Sequence, residues 1–273
     1  MKQLNKFVTP ALVFLSLVGA VLRFYDIIFF VGKDGLYIEE SAVSLALALL
    51  VIVTAALSLC FGFFILPKQE LRISRKNNRS ALLSSCFIIA GGLILLSSAV
   101  AFLGTDTLKL RDRPVLFAFA ASFFGILSGS FFIYSGIQLR LFSRLPCEVY
   151  APVFSVLWSL FRMISDFTSA PPLAPMSTRS YRTIVLASMC IFLFFFAKSL
   201  SGIDESEHPK PLCAFGVLFS TAAAVVLLPD LYFYISIKDI TSVLAAVADI
   251  SLAALALSYI SYRRYCPPRP LLH

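Results

Sequence analysis

Long apolar runs separated by short polar segments dominate the chain, and each run is about as long as a helix must be to cross a bilayer. The pattern predicts eight such helices, over residues 8–31, 41–66, 81–103, 114–139, 150–167, 183–202, 211–236 and 241–262. The fifth, 150–167, is the shortest and carries two charges, which leaves open whether it spans fully. The expected fold class is all-α, a polytopic transmembrane helix bundle that forms one domain over residues 1–273.

The composition agrees with this layout and excludes several functions. Apolar residues make up 59% of the chain and charged residues 14%, whereas soluble domains carry roughly 45–50% and 25%. The two histidines, His208 and His273, lie outside the predicted helices, so neither serves as an intramembrane base or metal ligand. No catalytic motif, metal site or cofactor motif is recognisable, and we expect neither enzymatic activity nor a cofactor.

The basic residues favour an orientation with both termini in the cytoplasm, because inner loops carry more Lys and Arg than outer ones. With the N-terminus inside, the inner segments hold thirteen basic residues and the outer ones seven. The most basic inner loop, 67–80, is expected to lie against anionic lipid headgroups through Lys68, Arg72, Arg75, Lys76 and Arg79. Nucleic-acid binding is not expected. The chain therefore reads as a multi-pass protein of a cell membrane, with its first helix retained; a cleaved secretory signal is the alternative.

Residues 168–182 are predicted to form an irregular outer loop, because Pro171, Pro172 and Pro175 fall within them. This interpretation leaves Arg182 outside the helices.

Charged side chains within the predicted helices are the candidates for function, because each costs about 2.5–3.5 kcal/mol to insert at the centre of a spanning helix. Lys198 lies near an inner helix end, where its ammonium reaches the headgroups. The other six map to the outer half of the bilayer and form the candidate polar pocket: Arg23, Asp26, Arg162, Asp166, Asp230 and Asp249.

The spacing of these six residues predicts how they pair. Within the first and fifth helices an arginine precedes an aspartate by three or four positions, so the two charges share a face. Asp230 and Asp249 have no such neighbour. Asp230 follows Pro229, which removes a backbone donor from its helix. Asp249 lies on a face of alanines and is expected to point into the bundle.

Two functions remain open at this point. The leading interpretation is a transporter-like or solute-binding protein, which would use the six charges as a pocket for a small solute or ion, open to the outer side, so that water reaches Asp230 or Asp249. A non-catalytic accessory or scaffold subunit would seal both aspartates against arginines, as structural ion pairs between helices. An intramembrane enzyme ranks third, because the residues around the two aspartates match no proteolytic motif.

Two further patterns concern packing. An arginine followed by an aspartate opens both halves of the chain and a Tyr, Ser, Arg and Pro series closes both, which suggests a weak 4+4 parallel repeat over 1–145 and 146–273. Gly125 and Gly129 fit the small-xxx-small pattern of close helix contact, and Gly91-Gly92 reads the same way.

The region from Trp158 to Gly202, with Phe161-Arg162 and Ser165-Asp166-Phe167, resembles a group of uncharacterised bacterial multi-pass membrane proteins. The first helix, from Leu22-Arg23 to Gly35-Leu36, is similar to theirs as well. Together these motifs cover about a quarter of the chain. The resemblance implies an eight-helix bundle in the bacterial cytoplasmic membrane and brings no function with it.

Overall fold

The fold is known from a computed structural model that describes residues 2–30, 42–65, 76–104, 113–142, 145, 150–169, 176–201 and 210–265. Within these ranges there are eight α-helices and no strand: α1 Lys2–Phe30, α2 Ala42–Cys60, α3 Lys76–Gly104, α4 Arg113–Phe142, α5 Ala151–Ser169, α6 Met176–Leu200, α7 Lys210–Ser236 and α8 Ile240–Tyr265. A π-helical segment, Phe61–Ile65, continues α2. The predicted all-helical fold class is confirmed.

Seven of the described helices are long and apolar enough to cross a bilayer, and α5 is not among them. With 19 residues, α5 is about 28 Å long, close to the roughly 30 Å of a hydrocarbon core. Its two charges, Arg162 and Asp166, lower the mean hydropathy of this short stretch. The chain thus has the character of a multi-pass membrane protein, while a count of eight spans and cytoplasmic termini stay predictions.

Six helices form a closed ring in the order α3, α4, α5, α6, α7 and α8, because each contacts the next and α8 contacts α3. Helices α1 and α2 contact each other, and both also contact α7. This pair therefore packs against the ring at α7. We call the end at which α1, α3, α5 and α7 finish the outer end, after the predicted orientation.

Aromatic side chains fill the inner half of the ring. Phe196 of α6 packs against Phe87 of α3, Phe132 of α4 and Tyr259 of α8, with ring centroids 4.8 to 6.1 Å apart. All four side chains are at most 1% exposed. The Tyr259 hydroxyl lies 3.0 Å from Ser199 Oγ, so its polar group is satisfied within this aromatic core. The interior of the inner half is closed.

The predicted packing role of the glycines is confirmed at the contact between α3 and α4. A Cβ on Gly91 would lie 2.7 Å from the carbonyl oxygen of Gly129, and a Cβ on Gly129 would lie 2.7 Å from that of Gly91. A Cβ on Gly125 would lie within 3 Å of side-chain atoms of Ser98 and Trp158. Only glycine permits this approach of the two backbones. Gly92 is an exception, since a Cβ there would meet no neighbouring atom within 4 Å.

Two predicted loops are shorter than expected, which corrects the sequence interpretation. Residues 76–80 belong to α3 and not to the inner loop 67–80, so Lys76 and Arg79 are helical. Residues 168–169 belong to α5 and residues 176–182 to α6, so the outer loop predicted over 168–182 is wrong at both ends. The last proline of that segment is Pro175. Because no proline follows it, α6 can begin at the next residue. The remaining residues of both predicted loops lie outside the described ranges.

Candidate functional site

The most enclosed charge cluster joins α1 to α7 and consists of Arg23, Asp26 and Asp230, which we call the dry triad. Arg23 Nη1 donates to Asp26 Oδ2 at 3.1 Å, and Arg23 Nη2 donates to Asp230 Oδ1 at 3.2 Å. The three side chains are 1%, 0% and 10% exposed. One guanidinium therefore binds a carboxylate of its own helix and a carboxylate of α7.

The dry triad also reaches α6. The Arg23 guanidinium lies over the ring of Tyr181, 5.1 Å from its centroid, in a cation–π arrangement. The Tyr181 side chain is buried, and its hydroxyl lies 3.5 Å from the Ser44 carbonyl oxygen of α2. Arg23 thus sits where α1, α6 and α7 meet.

A second ion pair connects helices that face each other across the ring. Arg162 of α5 donates from Nη1 to Asp249 Oδ1 at 2.5 Å and from Nη2 to Asp249 Oδ2 at 2.8 Å. This is the bidentate geometry in which arginine binds carboxylates most strongly. The Asp249 side chain is 3% exposed and that of Arg162 is 15% exposed. The Arg162 guanidinium lies 5.6 Å from the ring of Trp158, one turn towards the inner end.

A third cluster, Asp166, Arg182 and Tyr234, lies closer to the outer surface and joins α5, α6 and α7. Arg182 Nε lies 3.2 Å from Asp166 Oδ1, and Arg182 Nη1 donates to the Tyr234 hydroxyl at 3.1 Å. The side chains of Arg182 and Asp166 are 29% and 21% exposed. We call this cluster, together with the Arg162–Asp249 pair, the outer group, because its two arginines are 15% and 29% exposed, whereas Arg23 of the dry triad is 1% exposed.

The structure therefore brings all six sequence-predicted residues into ion pairs, but not always with the expected partner. The same-face pair Arg23 and Asp26 is confirmed, and so is the inward orientation of Asp249. Among the described contacts, Arg162 binds Asp249 of another helix and not Asp166 of its own. Whether the six residues form a pocket stays a prediction.

Sequence reasoning missed Arg182, Tyr181, Tyr234 and Trp158. The three aromatic residues read as interface anchors or packing side chains, which carry no signal of a charged partner. Arg182 had a usable signal: the outer half holds four aspartates and only two arginines within the predicted helices. Buried carboxylates are usually paired with cations. Arg182 was the nearest candidate, since it lies one residue before the predicted start of its helix.

Side-chain burial differs between the two ends of the ring. Towards the outer end, no residue is buried in 99–104 of α3, 114–120 of α4, 160–166 of α5, 231–236 of α7 or 240–245 of α8. At the inner end, buried residues continue close to the ends of the same helices, for example Leu139, Leu212 and Ile260. The Arg162–Asp249 pair lies between these zones. We call the outer zone of these five helices the outer mouth; on the sixth ring helix, α6, Tyr181 is buried near this end.

These charges do not form a metal site within the described part of the chain, where no group of three or more His, Cys, Asp or Glu side chains is placed to hold an ion. Asp230 and Asp249 each bind a different arginine, so the two carboxylates do not face each other as a pair. The comparisons with known proteins add no assignment: no family model matches the chain, and no curated protein or solved structure is significantly similar to it.

Proposed function

We propose that this is a non-catalytic scaffold or accessory protein of the membrane, whose intramembrane charges are structural ion pairs that fix the positions of its helices. The observation that supports the proposal most strongly is the burial of Asp230 and Asp249, which are 7% and 2% exposed and are each bound by an arginine from another helix. A carboxylate that serves as a solute or proton site needs access to water. These two are enclosed by protein.

The connections made by the arginines agree with this role. Arg23 links α1 to α7, Arg162 links α5 to α8, and Arg182 links α5 to α6 and α7. Lipid hydrocarbon provides no hydrophobic drive between spanning helices, so helix association depends on close packing and polar contacts. Five of the eight described helices carry a member of these pairs, and the contacts define which helices are neighbours.

A second function, the binding of a small solute from the outer side, is favoured by one specific observation. Five of the six ring helices carry no buried side chain at the outer mouth, and Arg162, Asp166 and Arg182 are partly exposed there. Adjacent positive and negative groups of this kind suit a zwitterionic solute, whose carboxylate would meet an arginine while its cation meets Asp166. A transport route in this state would have to pass the aromatic core below.

Thiol accessibility on α5 distinguishes the two functions. Ser165 and Ser159 lie three residues above and below Arg162, on its face of the helix, and replacement by cysteine changes neither charge nor size greatly. Ser159 is 0% exposed, and Ser165 is partly exposed. The variants Ser165→Cys and Ser159→Cys would be made with all six native cysteines replaced by serine, and probed from outside with a small membrane-impermeant maleimide.

The scaffold proposal expects labelling at position 165 and none at position 159, because the Arg162–Asp249 pair closes the mouth. Labelling at both positions would show water below the pair and overturn the proposal in favour of a solute pathway. Absence of labelling at both would remove the solute-binding alternative. An Arg140→Cys variant at the exposed inner end of α4 serves as the orientation control, since it should react only after the membrane is permeabilised.

A further inference from the structure

The outer ends of α7 and α8 form a hairpin that packs lightly against the rest of the bundle. Residues 231–245 include no buried residue, whereas Asp230 and Ala246 on either side are 7% and 3% exposed. No residue of 231–245 belongs to the hydrophobic core. We call this segment the hairpin tip. Because it buries few apolar contacts, little free energy opposes its displacement.

Hydrogen bonds within the hairpin tip make it a single unit. The backbone N–H of Asp239 donates to the Tyr234 carbonyl oxygen at 3.0 Å, and that of Lys238 donates to the Ile235 carbonyl oxygen at 3.1 Å. Lys238 completes this turn with a φ of 59°, the left-handed conformation with which many helices end. Asp239 also caps α8 by accepting from the backbone N–H of Ser242 at 3.2 Å. Neither helix end can therefore move without the other.

Buried ion pairs hold both bases of the hairpin tip. On α7, Asp230 lies directly below the tip and binds Arg23 of α1. On α8, Asp249 lies about one turn below the tip and binds Arg162 of α5. The separation of buried opposite charges is costly. These two points therefore stay fixed, and a displacement of the tip does not carry the rest of α7 and α8 with it.

The α7 arm of the hairpin tip begins at a weak point of its helix. Pro229 lies inside α7 and has no N–H to donate to the Val225 carbonyl oxygen, so the helix resists bending less there than elsewhere. Asp230 follows Pro229 directly and lies at the pivot, where displacement is smallest. The α8 arm opens with residue types of low helix propensity, namely Ile240, Thr241, Ser242 and Val243.

A hydrogen bond to α6 ties the hairpin tip to the neighbouring helix. Arg182 Nη1 donates to the Tyr234 hydroxyl at 3.1 Å, and no other hydrogen bond in the described part of the chain joins the tip to another helix. The ring of Tyr232 contacts Phe24 of α1, with centroids 4.8 Å apart. The Arg182 side chain is 29% exposed, so water competes for its donors. This hydrogen bond is therefore exchanged easily for bonds to water.

We propose that the hairpin tip is a hinged lid at the outer mouth, latched by the hydrogen bond between Arg182 and Tyr234. With this bond made, the tip lies against α6. Exchange of the bond for water lets the tip bend away from α6 about Pro229, which opens the outer side of the bundle towards the Arg162–Asp249 pair. The lid goes beyond the function proposed above and depends on neither of the two alternatives given there, because a scaffold and a solute-binding protein can both carry it.

The test measures distances between pairs of spin labels by electron paramagnetic resonance, in protein reconstituted in lipid nanodiscs. All six native cysteines are replaced by serine, and cysteines are introduced at exposed positions of α6 and α7. The lid pair is Ser236→Cys with Ile184→Cys, and the reference pair below Pro229 is Leu228→Cys with Ile191→Cys. Because α6 and α7 run antiparallel, the two pairs have nearly the same offset along the helices and differ in their position relative to the hinge.

The lid pair should show a main shorter distance and a minor longer one in this background. Tyr234→Phe keeps the ring and removes the latch, and it should raise the ratio of the longer to the shorter distance about fivefold, as expected for the loss of one hydrogen bond. Pro229→Ala restores the missing helix hydrogen bond and should lower this ratio. Tyr232→Phe removes an exposed hydroxyl that makes no described hydrogen bond, so this matched control should leave the ratio unchanged.

The reference pair should keep one distance in every variant. If the lid pair gives the same distances in the background, in Tyr234→Phe and in Pro229→Ala, the proposal is overturned. An equal change in the reference pair would also overturn it, because α7 would then move as a whole, and so would a Tyr232→Phe effect as large as that of Tyr234→Phe. If Tyr234→Phe does not fold, Arg182→Met, which removes the donor of the latch, decides in the same way.

Discussion

The Arg–Asp pairs of the dry triad and of the outer group use the same two residue types, and they differ in how far the protein encloses the arginines. Arg23 and Asp26 are 1% and 0% exposed, whereas Arg182 and Asp166 are 29% and 21% exposed. An enclosed ion pair is neither screened by salt nor replaced by water, so the loss of one partner leaves a costly charge. A partly exposed pair contributes little, because water and ions compete for both members. On the proposed scaffold role, helix fixation should therefore depend mainly on the enclosed charges.

Removal of Arg23 should have the largest effect. Arg23→Met takes away the described cation between two buried carboxylates, and we expect it to lower the free energy of unfolding by about 3–5 kcal/mol. The measurement is unfolding of the purified protein in mixed micelles. The triple variant Arg23→Met, Asp26→Asn, Asp230→Asn should recover much of the loss, because no lone charge remains. If Arg23→Met matches the exposed control Arg140→Met, the triad does not stabilise the fold.

Removal of Arg162 should have an intermediate effect. Its side chain is 15% exposed, between the two extremes, and its carboxylate partner Asp249 is enclosed. We expect Arg162→Met to cost about 2–3 kcal/mol, between the ranges for surface and buried pairs. Arg162→Lys keeps the charge but loses the bidentate geometry, so it should fall between wild type and Arg162→Met. If thermal unfolding shows no difference among the three proteins, the Arg162–Asp249 pair does not stabilise the fold.

Asp239, which lies outside the predicted spans, provides a reference for the sizes of these stability effects. Asp239, in the turn before α8, accepts hydrogen bonds from the backbone N–H and hydroxyl of Ser242 and from the Thr241 hydroxyl. Asp239→Ala removes this helix cap and should cost about 1 kcal/mol. The control is Asp239→Asn, which keeps a capping side chain and should lose less.

Asp239 also predicts a pH dependence. Partial burial alone would raise the pKa of Asp239, but the hydrogen bonds from Ser242 and Thr241 outweigh it and hold that pKa below its ordinary value. A carboxyl whose pKa is depressed on folding stabilises the folded state at neutral pH, and the contribution is lost as the pH falls below about 4. Wild type should therefore approach Asp239→Ala in stability on acidification. A constant difference between them would refute the cap.

The smallest effect is expected at Arg182. Arg182→Gln breaks a pair whose members are both partly exposed, so it should cost about 1 kcal/mol or less. This cost should shrink further as salt rises from about 0.05 M to 0.5 M, because screening weakens exposed pairs first. Thermal unfolding at both salt concentrations checks the prediction. A large loss that salt does not change would place Arg182 with the dry triad.

The sequence predicted the helices well because a bilayer imposes a simple rule on apolar length. It did not predict the order of the ring, since lipid hydrocarbon gives no apolar preference for one neighbouring helix over another. The contact of Gly91 with Gly129 was the part of that order with a sequence signal. The π-helical segment at Phe61–Ile65 had none, because no residue pattern distinguishes it from the α-helix that precedes it.

The candidate site was predicted in its members more than in its pairing. Charged residues within long apolar stretches are easily recognised in a sequence. This signal identified Arg162 and Asp249 separately. Their bond joins residues 87 positions apart, and this proximity depends on α5 and α8 facing each other across the ring. Arg182 was not among the predicted site residues, because the predicted sixth helix began one residue after it. The excess of aspartates over arginines within the predicted helices was a signal that another cation was needed.

The central claim, that the dry triad fixes helices while the exposed part of the outer group contributes little, is tested most directly by two double-mutant cycles. One cycle combines Arg23→Met with Asp230→Asn, and the other combines Arg182→Gln with Asp166→Asn, each measured by unfolding at low and high salt. We predict a coupling energy of about 2–3 kcal/mol for Arg23 and Asp230 that salt leaves unchanged, and about 0.5 kcal/mol for Arg182 and Asp166 that salt removes. Equal coupling in the two cycles, or a triad coupling that disappears in salt, would contradict the account.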